Sequence, residues 1–215
     1  KLRERTSLPM MKCKEALQQC EGDAEKAVAW LKSQVKGVMD KRIGNATREG
    51  AVKVLVRPDG SEAAMVEVQC ESAPVATGED LQKFADLLVK QLLEGPGAAT
   101  PEELVAQNVP GGSGPFTEMY EDMVNRIREK IVVSRIARVK GPVAGYVHHD
   151  GKTGVLIVAS GANATAPVLR DVAMHIAALR PTVAKTEDLD PALVEAEREK
   201  LSEEARASGK PENII

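Results

Sequence analysis

Aromatic residues are nearly absent from this chain: two Phe, two Tyr and one Trp among 215 residues. That scarcity excludes a platform of stacked rings for single-stranded nucleic acid. It also leaves the core to Val, Leu, Ala, Ile and Met. Cysteine is scarce as well. Cys13, Cys20 and Cys70 are odd in number and form no CxxC pair. They offer neither a disulfide framework nor zinc-ligand spacing with His148, His149 or His175, and they read as reduced thiols of a cytosolic protein. No apolar run approaches the roughly 18 residues of a membrane-spanning helix, and no signal-peptide pattern is present. The first residue is Lys1 rather than Met, so residues ahead of it, like residues after Ile215, are left open. The loop Gly111-Gly112-Ser113-Gly114-Pro115 lacks the Lys-Ser/Thr of a phosphate-binding loop. No Ser/His/Asp set or carboxylate pair stands out, so neither an enzyme nor a metal or cofactor site is expected. A net charge of -3 argues against a whole-chain nucleic-acid binder.

Apolar residues make up 43% of the chain and charged residues 28%, the proportions of a globular protein. Residues 1–49 are basic, with 11 Lys/Arg against 7 Asp/Glu. Residues 180–215 are acidic, with 6 against 9. The stretch from Gly50 to Ala76 organises the rest. Val52, Val54 and Val56 alternate with Lys53, Leu55 and Arg57. Pro58-Asp59-Gly60 is turn chemistry, and Ala64, Val66, Val68 and Cys70 resume a period of two. This predicts a β-hairpin with one buried face. Pro74 cannot donate to a sheet ladder and ends the second strand. A short loop, Ser72-Ala73-Pro74-Val75, then protrudes before Glu79-Asp80 opens a helix. Such a loop suits a wedge held against another protein, and an ordinary strand-to-helix connection has the same composition.

Before the hairpin, residues 1–37 predict three short helices. Thr6-Ser7-Leu8-Pro9 breaks the first from the second. Met10, Cys13, Ala16, Leu17 and Cys20 recur at helical spacing, and adjacent Met10 and Met11 cannot both face inward. Asp23 is placed to cap the third helix, whose apolar face is Ala24, Ala27, Val28 and Leu31. Residues 38–49 are a basic linker, read as a solvated helix. After the hairpin, Leu81, Phe84, Ala85, Leu88 and Leu92 form a strongly amphipathic helix. Thr100-Pro101 starts another, and Met119, Met123, Ile127 and Ile131 continue as a helix. Strands are expected around Ile136 to Val139 and Val143 to Val147. The apolar run Gly154 to Ala159 predicts a strand buried on both faces. Pro167 opens a helix with Val168, Val172, Ile176 and Leu179 on one side. From Leu189 to Ala207 a thin stripe of Leu193, Val194 and Leu201 predicts a helix that needs a partner.

Several stretches together resemble the bacterial elongation factor Ts family. They are Leu2-Arg3-Glu4-Arg5-Thr6 with Met10 to Leu17, Val66 to Glu71 with Phe84-Ala85-Asp86, Gly145-Tyr146-Val147-His148 with Gly154-Val155-Leu156, Ala173-Met174-His175-Ile176-Ala177-Ala178, and Ser208 to Pro211. The resemblance implies an α+β fold. It comprises a UBA-like helical module at 1–37, a linker at 38–49, a core with antiparallel sheet at 50–180, and a helical hairpin or dimerisation segment at 181–215. It implies a cytoplasmic guanine nucleotide exchange factor that binds elongation factor Tu at its nucleotide domain and opens the Mg²⁺ and phosphate site, with no cofactor of its own. Carried over as contacts are Arg3, Met10 and Met11 in the first module, Ser72, Ala73, Pro74 and Val75 as the wedge, and Thr153, Gly154 and His175 toward the phosphate-loop side. The family's wedge reads Thr-Asp-Phe-Val, so carboxylate and phenyl ring are both missing here. A buried ring is worth a few kcal/mol, and a Pro ring supplies less. A docking module with weak exchange is the alternative. The chain stops inside what resembles the helical insertion, which leaves pairing with a second copy, as a homodimer or a 2:2 complex, or a longer C-terminus.

Overall fold

The computed structural model describes residues 1–6, 8–112 and 114–211. Ser7 of the predicted break, Ser113 of the predicted loop and residues 212–215 of the predicted C-terminal segment lie outside the described residues. Contacts divide the chain into two units, residues 1–177 and 178–215.

The first unit begins with α1 (Leu2–Thr6), α2 (Met10–Gln19) and α3 (Ala24–Ser33), which share a small core of Leu2, Leu8, Cys13, Ala16, Ala27 and Leu31. Asp23 caps α3 as expected, its carboxylate accepting from the N–H groups of Glu25 and Lys26 at 3.0 Å each. Met10 does not join the core face its spacing predicts. Leu8 fills that end of the small core, and Met10 and Met11 are 68% and 73% exposed. The basic stretch that follows is more than a solvated linker. It forms α4 (Val35–Lys41), and Val38 and Met39 pack into the main core, where α4 meets α8 (Phe116–Ile127).

The main core sits on a three-stranded antiparallel sheet of β1 (Glu49–Val56), β2 (Glu62–Cys70) and β3 (Val132–Lys140), in that order. In the register, Val52, Val54 and Val56 oppose Glu67, Met65 and Ala63, whereas Ala51, Lys53 and Leu55 oppose Val68, Val66 and Ala64. The two alternating sets of the hairpin therefore lie on opposite faces, which corrects the expectation of one buried face. The Ala64, Val66, Val68 and Cys70 face is covered by α6 (Glu79–Glu94) through Leu81, Phe84, Ala85, Leu88, Leu92 and neighbours. Phe84 meets Phe116 edge to face at 6.0 Å between ring centroids, so two of the five aromatic rings anchor one point. The register slips between Glu67 and Val68, leaving Ser134 as a bulged residue of β3.

The opposite face carries a two-stranded ribbon, β4 (Val143–Val147) and β5 (Gly154–Val158). Glycines allow this approach. A Cβ on Gly145 would overlap Val54, and one on Gly154 would lie 2.5 Å from the Val52 Cγ1 methyl. The strand predicted to be buried on both faces is only half-buried, and Val158 is 51% exposed. Its ribbon has just two strands and lies on the sheet with one face.

Two helices also differ from expectation. Arg128 adopts a left-handed conformation (φ 59°) and ends α8, so Ile131 is buried at the entrance of β3 instead of continuing the helix. In α9 (Ala166–Leu179) the buried residues are Leu169, Ala173 and Ala177, whereas Val168, Val172 and Leu179 are exposed. The i, i+4, i+8 row from Leu169 is the inward stripe, one position round from the expected side. Between these segments lies α7 (Pro101–Val105), which Thr100 caps by accepting from the Glu103 N–H at 3.2 Å.

The second unit contains a short 3₁₀ turn at Thr186–Asp188 and α10 (Pro191–Ala207), which Asp190 caps. No residue of α10 is buried, and Leu193, Val194 and Leu201 stand exposed along it. Among the described residues no helix is long and apolar enough to cross a membrane.

Candidate functional site

At the end of β2 the sequence predicts a loop, and the structure has a single helical turn, α5 (Ala73–Ala76). Proline early in a helix turn gives up no hydrogen bond and brings a suitable φ. Backbone bonds from Ala76 N to Ser72 O and from Thr77 N to Ala73 O, each 3.1 Å, close the turn. Ala76 is buried and Val75 packs against the main core, while Ala73 and Pro74 face solvent. The turn is thus a small exposed knob on a buried base.

Its root is hydrogen-bonded on both sides. Ser72 donates from its backbone N and its Oγ to the Glu129 carboxylate, at 3.1 and 2.6 Å. Glu71 accepts from Lys130 N at 2.6 Å, from Asn45 Nδ2 at 2.8 Å and from Arg42 Nη1 at 2.8 Å. Burial pushes the Glu71 carboxyl up, but the bonds from Lys130, Asn45 and Arg42 outweigh it and hold it below its ordinary value. The neighbouring Cys70 thiol is pushed up to about 11, by burial and then by the Glu129 charge. At neutral pH it is a protonated, unreactive thiol.

The tip of the β4–β5 ribbon reaches the same end of the sheet. His148 N donates to Thr153 O at 2.8 Å, and Val52 N donates to Gly151 O at 2.7 Å. Lys152 Nζ pairs with Glu49 at 2.6 Å, and Glu49 lies opposite Cys70 in the ladder. The structure therefore brings Thr153 and Gly154 to the edge from which Ser72–Val75 leaves. Thr153 is half-buried. The Cβ direction of Gly154 points at Val52 and Met65 of the three-stranded sheet beneath the ribbon, so a partner meets only its backbone. Tyr146 Oη and His148 Nδ1 lie 3.0 Å apart beside this tip, and the rings of His148 and His149 are 4.2 Å apart.

The other expected contacts are separate. Arg3 and Met10 line a shallow depression of about 540 Å³ with Leu2, Cys13, Lys14 and Leu17 on the first three helices, and Met11 is exposed beside it. His175 is exposed on α9 next to Met174 and Val172, both also exposed. Sequence reasoning missed Glu129 and Lys130. Glu129 is 57 positions from Ser72, and nothing local marks it.

The site is thus an exposed knob of small residues on a hydrogen-bonded root, beside the tip of the β4–β5 ribbon. Residues 74–215 match the family model described as Elongation factor TS. The whole chain is 38% identical to elongation factor Ts of Hyphomonas neptunium, covering 73% of that protein. It is likewise 38% identical to that of Methylococcus capsulatus, covering 72%, and 35% identical to that of Aquifex aeolicus, covering 78%. The chain belongs to the elongation factor Ts family. Its function is that of a translation elongation factor, the guanine nucleotide exchange factor for elongation factor Tu. It shifts a partner's binding equilibrium and is not a catalyst of a chemical step in the ordinary sense.

Proposed function

We propose that this chain releases GDP by pressing the Ser72–Val75 turn against the nucleotide domain of elongation factor Tu and disturbing its Mg²⁺ and phosphate site. One observation carries this reading: Ala73 and Pro74 are exposed on a turn whose neighbours, Val75 and Ala76, are tied into the main core. An exchange factor must bind the nucleotide-free partner better than the nucleotide-bound one. An exposed feature that resists displacement can hold the partner in the altered state. The tip at Thr153 and Gly154 and the exposed His175 press on the phosphate-loop side. Arg3, Met10 and Met11 of the UBA-like module at 1–37 grip the nucleotide domain, and the segment at 38–49, whose Val38 and Met39 pack into the main core, joins that module to the core at 50–180. The exposed stripe of α10, in the segment from 181 onward, is where a second copy would pair to give a homodimer or a 2:2 complex. A cytoplasmic location is part of the same reading.

The absence of a ring and a carboxylate from Ser72-Ala73-Pro74-Val75 favours a second reading, a docking module that binds the partner with little exchange. The test is stopped-flow release of a fluorescent GDP analogue from elongation factor Tu, with and without this protein. Strong acceleration, slowed by Pro74→Gly with binding intact, supports the wedge. Binding without acceleration supports the docking module. Acceleration indifferent to Pro74→Gly puts the wedge elsewhere.

A further inference from the structure

The root of the α5 turn contains a reciprocal clamp. Glu71-Ser72 and Glu129-Lys130 are two dipeptides of the same pattern, each a carboxylate followed by a backbone N–H. The Glu129 carboxylate takes the Ser72 N–H at 3.1 Å, and the Glu71 carboxylate takes the Lys130 N–H at 2.6 Å. Ser72 Oγ adds a third bond, to Glu129 Oε1 at 2.6 Å. The side chains extend the clamp. Arg42 and Asn45 both bond to Glu71, and Lys130 Nζ donates to the carbonyls of Ile43 and Asn45 at 2.7 and 3.2 Å. Two carboxylates and two cations balance in charge, and the three segments they join are far apart in sequence. One leads out of α4, one carries the turn, and one connects α8 to β3. Helix α4 follows α3 directly, with Gln34 flanking both.

We propose that Glu129 is a positioning residue for nucleotide exchange. Through Ser72 it fixes the α5 turn, and Glu71 and Lys130 complete the clamp. The inference rests on the reading of Ser72–Val75 as the wedge. A wedge shifts its partner only if deforming the partner is easier than deforming the wedge. Ala73 and Pro74 have no side-chain bonds of their own, and the Thr77 hydroxyl, donating to their carbonyls at 3.1 and 3.4 Å, holds the turn only to itself; what fixes the knob to the rest of the protein is its base at Val75 and Ala76 and its root at Ser72. Releasing the root lets the turn yield, and contact energy then goes into ordering the turn instead of displacing the partner. Glu129 touches the wedge's root and not its exposed tip, so its loss lowers the rate within the complex more than the affinity of the complex.

The test uses the full chain with elongation factor Tu carrying a fluorescent GDP analogue. The release rate is followed over a range of exchange-factor concentrations, which separates the maximal rate from the half-saturating concentration. Glu129→Ala is expected to lower the maximal rate roughly tenfold with the half-saturating concentration within about twofold of wild type. Glu129→Gln keeps an acceptor oxygen for Ser72 and restores most of the rate. Ser72→Ala together with Glu129→Ala is no slower than Glu129→Ala alone, because both break the same contact. Thermal melts identify any variant that does not fold, and Ser72→Ala, which removes only a hydroxyl, then carries the test. Pro74→Gly runs beside them. Wild-type maximal rates in Glu129→Ala and Ser72→Ala beside a slow Pro74→Gly overturn the clamp and leave the wedge standing. A wild-type Pro74→Gly overturns the wedge itself, and the clamp's role with it. A loss confined to the half-saturating concentration also overturns the inference and makes Glu129 a binding residue.

Discussion

Gly154→Ala should unseat the β4–β5 ribbon from the sheet. The added Cβ lies 2.5 Å from Val52 Cγ1, 3.2 Å from Met65 Sδ and 3.5 Å from Val52 Cβ. Met65 is flexible and can move aside. Val52 cannot, because it is β-branched, 8% exposed and held in the ladder opposite Glu67. The ribbon must therefore lift by most of an ångström, against the anchor from Val52 N to Gly151 O. Inserting one methyl into such a contact costs about 1–3 kcal/mol. In a chain of this size each kcal/mol lowers Tm by roughly 2–4 °C. Urea melts and calorimetry measure the loss, with Gly37→Ala as the control, since nothing lies within 4 Å of a Cβ there. Adding Val52→Ala removes the obstructing methyls, so the double variant should lose less than the two single losses added together. At temperatures well below Tm, exchange by Gly154→Ala should fall, because the Thr153 tip is displaced. A wild-type Tm for Gly154→Ala would refute the close-packing argument. Strictly additive losses in the double variant would locate the strain elsewhere.

Two other outcomes are expected. His175→Ala should weaken exchange by roughly 1–3 kcal/mol, as for an interface hot spot, with an unchanged melting curve because the side chain is exposed; a wild-type release rate would remove His175 from the contact. Glu62 sits between Arg138 Nε at 2.8 Å and Arg57 Nε at 3.0 Å, and these bonds, Arg138 first, lower its pKa from 4.5 to about 2. Its stabilising contribution is therefore complete above the unfolded value of 4.5 and is lost as pH falls toward 2. Urea midpoints taken between pH 7 and 2 should drop more steeply through that window for the wild type than for Glu62→Gln. Equal slopes would count against the network.

The local signals in the sequence were sound where one segment decides its own structure. Asp23 and Thr100 cap the helices they precede, because a capping oxygen bonds to N–H groups two or three residues on. The α6 stripe of Leu81, Phe84, Ala85, Leu88 and Leu92 is buried as read, since a strong 3.6-residue period leaves one inward choice. The motif stretches, Met10 to Leu17 and Ala173 to Ala178 above all, were enough to identify the family. Tertiary structure decided what depends on a second element. A period of two reveals that a strand has faces, but only the register against β2 and β3 put Val54 and Val66 on opposite ones. Leu169 and not Val168 is buried on α9, and Val38 of the supposed linker entered the core, because burial follows from what is available to pack against. The Glu129 clamp on Ser72 was invisible in the sequence for the same reason. A hydrogen bond across 57 positions exists only once the chain has folded back on itself.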